Sequence, residues 1–153
     1  MASNAGAFLS VLNVATEQLA GAIKQVIASY GDAADHDEVL IQPMLQNVVR
    51  SGVAFSHDPN TCAPYRVINW SESSNTTAIT GGQDGRTWQS AALSTVEPPR
   101  ELKAVVTLLN DLQRLFGDEA IDCEFAVTLE DEIETLWLLQ ARPLLMPSAS
   151  EHA

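Results

Sequence analysis

Asp122, Glu124, Gln140 and Arg142 are the residues of this chain whose types and spacing bear most directly on chemistry. They lie in IDCEFAVTLEDEIETLWLLQARP, residues 121–143, which reads as two strands around an acidic turn. Side chains alternate along a strand, so Ile121, Cys123, Phe125 and Val127 share one face, and Asp122, Glu124 and Ala126 share the other. In the returning arm Trp137, Leu139 and Ala141 share a face, with Leu138, Gln140 and Arg142 opposite. A turn centred near Glu132 sets Glu124 against Gln140 and Asp122 against Arg142, with opposed Cβ atoms roughly 5 Å apart. A two-residue shift keeps the faces and changes the pairs. Carboxylate and amide oxygens are hard ligands suited to Mg²⁺, which keeps waters and takes further ligands from phosphates. An Arg beside them forks onto phosphate oxygens as Lys cannot. The same four residues also suit a solvated face carrying an Asp–Arg ion pair and a Glu–Gln hydrogen bond. Pattern alone leaves both readings open.

The elements that must position this hairpin are legible in outline. Thr16 to Tyr30 reads as a helix, with Thr16 as its cap, a stripe of Leu19, Ile23, Val26, Ile27 and Tyr30, and Gly31 as its stop. VLIQPML, residues 39–45, reads as a short buried strand, placed at an edge by Pro43. SGVAFS and YRVINW read as hairpin arms joined by HDPNTCAP, where His57-Asp58-Pro59 is expected as a turn cap rather than a catalytic dyad. A polar stretch follows, with a short strand expected at TTAIT. EPPRELKAVVTLLNDLQRLFG is a second helix, burying Leu102, Val105, Val106, Leu109 and Leu112 and stopping at Gly117. The order predicts an α+β fold, a mainly antiparallel sheet with flanking helices, over residues 1–147, then a frayed tail at 148–153.

Composition narrows the function classes. A net charge of −12 with eight Lys and Arg argues against nucleic-acid and membrane-surface partners. It leaves a metal–nucleotide site open, because such a site needs few local cations. Cys62 and Cys123 are too few for a disulfide framework or a zinc site, and Cys123 is expected as a buried thiol. No run reaches the roughly 18 apolar residues of a membrane span. The first residues carry no basic signal-peptide region, so a cytoplasmic protein is expected. The histidines His36, His57 and His152 lack metal spacing, and Trp70 and Trp88 are expected in packing roles.

The hairpin residues IDCEFAV and LWLLQARPLL resemble the closing motif of the ATP-grasp nucleotide domain in the phosphoenolpyruvate synthase and pyruvate phosphate dikinase family. VLIQPML is similar to the family strand that leads to the adenine-binding hinge. SGVAFSHDPNT resembles the SGVxFTxDPxTG hairpin, and AGAFLSVLNV the segment after an early Arg-Ser-Ser stretch. These segments run in family order over nearly the whole chain. The resemblance implies the C-terminal half of an ATP-grasp domain, with Mg²⁺ and ATP as cofactors. It implies Glu124 and Gln140 as Mg²⁺ ligands, Asp122 as a positioning group for the metal or its waters, and Arg142 as the phosphate contact. Gln42, Pro43, Met44 and Leu45 are implied to line the adenine pocket, with backbone groups near Pro43 and Met44 reading the base edge. Such enzymes phosphorylate a His on a swivelling domain, which passes the phosphoryl group to pyruvate or a related acceptor.

The departures carry expectations too. The family's phosphate-gripping Lys and the Arg of its Arg-Ser-Ser stretch belong before the equivalent of Ala5, while Lys24 and Lys103 fall on expected helices. Cys62 stands where the family turn has glycine. The expected partners are therefore ATP, an N-terminal ATP-grasp half and a phosphohistidine domain, in the same or another chain, with no turnover by this chain alone. The contrasting expectation is a degenerate half-domain that pairs with another chain or a second copy and does not bind ATP.

Overall fold

The computed structural model describes residues 8–31, 36–72 and 85–144. The strand expected at TTAIT and the tail at 148–153 lie outside them. The chain divides into two units, Met1–Leu45 and Gln46–Ala153.

In the first unit a 3₁₀ turn, Thr16–Gln18, leads into helix α1, Leu19–Ala28. Thr16 is not a cap: it already lies within the 3₁₀ turn, which follows Ala15 and has no side-chain capping bond. The far end closes as expected, with Gly31 at φ 72°. Ser29 reinforces that end, its hydroxyl donating to the Val26 carbonyl (2.6 Å) and accepting from the Leu9 amide (3.0 Å). The apolar stripe of α1 buries no residue fully. VLIQPML does not form the expected buried strand. It carries no strand assignment, and Leu40 and Ile41 are exposed. A strand needs an edge to pair with, and no strand is found among the described residues of this unit. Pro43 also removes a ladder donor.

The second unit contains β1 (Val48–Phe55), β2 (Tyr65–Ser71), β3 (Arg86–Ala91), α2 (Lys103–Leu115), β4 (Ile121–Glu130) and β5 (Ile133–Pro143). The strands form one antiparallel sheet in the order β3-β2-β1-β4-β5, so the fold is α+β. The β1–β2 connection is fastened by Asp58, whose Oδ1 accepts from the Asn60 and Thr61 amides and the Thr61 hydroxyl. Strand β3 has no counterpart in the sequence reading, because RTWQSA offers one large apolar side chain, Trp88, and hence no alternation.

One face of the sheet packs on α2. Ile121, Cys123, Phe125 and Val127 of β4 join Ala54, Ile68 and Trp70 against Leu102, Val105, Leu109 and Leu112. Arg66 in β2 adds a polar tie, its Nε donating to Asn110 Oδ1 of α2 at 3.1 Å. Among the described residues no helix is long and apolar enough to cross a membrane.

Two positions in the SGVAFSHDPNT segment test this geometry with opposite signs. A Cβ on Gly52 lies 2.3 Å from the Asn69 carbonyl oxygen and 2.8 Å from the Phe125 ring. Gly52→Ala therefore costs about 3 kcal/mol, since sheet backbone and a core ring must both shift. Cys62 sits at φ 56°, in the left-handed region where a side chain is strained. Cys62→Gly gains about 0.5–1 kcal/mol after the added unfolded-state entropy is subtracted. Urea unfolding of both variants, read by circular dichroism, checks the pair.

Candidate functional site

Strands β4 and β5 bring the four hairpin residues together in the expected pairs: Asp122 opposite Arg142 and Glu124 opposite Gln140. The route to that register differs from a turn centred on Glu132. The turn is a two-residue one, Asp131–Glu132, with both residues at positive φ (48° and 63°), which gives the twist a tight hairpin requires. A bulge then makes up the missing residue. Phe125 pairs with Leu138 and Glu124 with Gln140, leaving Leu139 as the extra residue.

The bulge corrects the face assignment on β5. Strict alternation groups Leu138 with Gln140 and Arg142, whereas Leu138 lies opposite Phe125 on the α2 side. Trp137, expected on the face away from Gln140, instead lies opposite Ala126 on the face of Asp122 and Glu124. Its Nε1–H donates to Thr128 Oγ1 at 2.9 Å, which fixes the indole on that face. No signal in the sequence reveals a bulge whose extra residue is one leucine of LWLLQ.

The two polar pairs behave differently. Asp122 is buried, between β1 and β5. Arg142 forks onto it: Nε donates to Oδ1 (2.8 Å) and Oδ2 (3.1 Å), and Nη2 donates to Oδ2 (3.1 Å). Those hydrogen bonds, more than the charges themselves, raise the Arg142 pKa above its ordinary value. Glu124 and Gln140 are both exposed, and neither side chain makes a hydrogen bond or ion pair among the described residues. The solvated-face reading is thus half met: its Asp–Arg pair forms and its Glu–Gln bond does not. Between the two carboxylates, Cys123 points to the core, where burial first and then Asp122 and Glu124 push its thiol up to about 12. It is an inert packing group, as expected.

The carboxylate of Glu124 and the amide of Gln140, on adjacent strands, are oxygen donors of the type that a hard cation takes together with water or phosphate. Among the described residues no group of three or more His, Cys, Asp or Glu gathers to hold a metal, so a cation here depends on Gln140 and on ligands from outside. Gln42, Pro43, Met44 and Leu45 belong to the first unit, where the first three are exposed and Leu45 is half-buried. A cleft of about 440 Å³ in that unit lies between Val11–Val14 and α1, and none of the expected site residues line it. Trp70 is in the core and Trp88 packs against it, while His57 Nδ1 lies 3.0 Å from Ser56 Oγ.

No protein-family model matches the chain, and no curated protein matches it in sequence.

Arg142→Ala strands a carboxylate whose side chain is 9% exposed. The full cost of orphaning a buried charge is about 3–5 kcal/mol, and the partial exposure of Arg142 reduces it to about 2 kcal/mol. Arg142→Lys restores less than half, because an ammonium cannot reproduce the fork. Urea denaturation of the two variants beside the native chain measures both values.

Proposed function

We propose that this chain is the Mg·ATP-binding portion of a phosphotransferase resembling phosphoenolpyruvate synthase, with its second unit built as the C-terminal half of an ATP-grasp domain. The observation that carries the reading is the contrast within the β4–β5 pairs. Asp122 and Arg142 are locked together, while Glu124 and Gln140 stand beside them, exposed and unbonded. A metal–phosphate site needs ligands open to an ion and a guanidinium already aimed, and the two pairs supply one of each.

The donor set fits the group. Glu124 supplies a carboxylate and Gln140 an amide oxygen, the hard ligands Mg²⁺ takes alongside phosphate oxygens and water. Asp122 holds the Arg142 guanidinium in place and so removes its rotational freedom before a phosphate arrives. Glu124 and Gln140 would hold Mg²⁺, which would supply positive charge to offset that of the phosphates. Backbone groups of Gln42, Pro43, Met44 and Leu45 read the adenine edge. The phosphoryl group passes to a His on a separate domain and then to pyruvate or a related acceptor. An N-terminal ATP-grasp half supplies the Lys and Arg of the phosphate clamp, so the chain alone binds weakly and does not turn over.

A second reading draws on the first unit. Leu40, Ile41 and Met44 are exposed at 77%, 55% and 44%, and α1 buries none of its residues fully. Apolar surface of that extent suits a degenerate half-domain that pairs with another chain or a second copy. Calorimetric titration with Mg·ATP separates the two. The nucleotide reading predicts weak, Mg²⁺-dependent binding that Glu124→Ala reduces at least about 10-fold while the fold is kept. No heat of binding at millimolar nucleotide supports the interaction module instead.

A further inference from the structure

We propose that Trp137 is a further ligand-binding residue of this site, contacting the organic part of the nucleotide whose metal is held by Glu124 and Gln140. The proposal rests on the nucleotide reading above and adds a wall to it. The bulge at Leu139 puts Trp137 and Gln140 on one face of β5, where unbroken alternation sets them on opposite faces. Along that face the order is Trp137, Gln140, Arg142, and the opposed β4 residues are Ala126, Glu124 and Asp122. The metal ligands therefore lie between a guanidinium on one side and an indole on the other.

The indole is suited to contact. Its one polar atom is committed to Thr128, so the ring is held without needing a ligand, and the residue remains 42% exposed. A ring fixed in this way loses little freedom when a flat group lies on it. A second observation points to the same row of the sheet. Ser51 pairs with Ala126, which pairs with Trp137. Ser51 is 2% exposed, and its Oγ is buried with no partner among the described residues. A buried hydroxyl costs stability until it is hydrogen-bonded, so this row carries an unmet polar group beside the strand that presents Trp137. With phosphates directed to Arg142, the sugar or base of the nucleotide lies toward Trp137.

The test compares Mg·ATP with Mg·tripolyphosphate, which carries the phosphates without sugar or base, on the native chain, Trp137→Ala, Trp137→Phe and Glu124→Ala. Circular dichroism and urea unfolding confirm that each variant folds. Trp137→Ala is expected to weaken Mg·ATP roughly 10-fold and leave Mg·tripolyphosphate unchanged, with Trp137→Phe close to native. Glu124→Ala is expected to weaken both. If Glu124→Ala weakens both ligands and Trp137→Ala weakens neither, the Trp137 proposal is wrong and the nucleotide reading stands. Equal loss of both ligands in Trp137→Ala also overturns it, since the indole then supports the strand and not the ligand. Absence of binding by the native chain overturns both.

Discussion

Ile121, Cys123, Phe125 and Val127 are pinned against α2, and that burial decides where every polar side chain of β4 points. With a side-chain period of two, Asp122 and Glu124 have no choice but the opposite face. The constraint is stiff: a one-residue slip brings two carboxylates into the core and moves a phenylalanine out of it. The position of Arg50 at the far end of the same sheet shows what polar burial requires. Its guanidinium is held by the Glu101 carbonyl and the Glu134 carboxylate, and its Nε has no hydrogen-bond partner. Against that background the buried Asp122 is acceptable because Arg142 reaches it with a fork.

The bulge at Leu139 is the second half of the constraint. The tight Asp131–Glu132 turn alone aligns β4 and β5 one residue out of the register that joins Asp122 to Arg142. One extra residue in β5 restores it, and it also turns Trp137 onto the face of the acids. Bulges are tolerated where they re-aim side chains, and β5 is an edge strand, where the lost ladder bond costs least. Stability and site geometry thus meet in one residue.

Much of the second unit was legible because its patterns are strong. Alternation marks β1, β2 and β4, the stripe from Leu102 to Leu112 marks α2, and Gly117 marks its end by a left-handed φ. The polar pairs of the hairpin followed from symmetry alone, and they emerged correct through a turn and a bulge whose offsets cancel. What the pattern hid is equally physical. β3 holds its place by pairing with β2 and by one tryptophan, so its composition says little. VLIQPML has the composition of a buried strand, yet a strand is defined by its neighbour, and its unit offers none among the described residues. Trp137 was placed on the wrong face because periodicity assumes an unbroken ladder.

The claim at the centre is that a divalent metal with nucleotide sits on the Glu124–Gln140 pair. Amide NMR with Mn²⁺ in place of Mg²⁺, recorded with and without ATP, locates it directly, because a paramagnetic ion broadens the resonances nearest to it. The account predicts ATP-dependent broadening centred on Glu124 and Gln140 and reaching the Trp137 indole. Broadening centred on the acidic turn from Leu129 to Glu134, or insensitive to ATP, contradicts it.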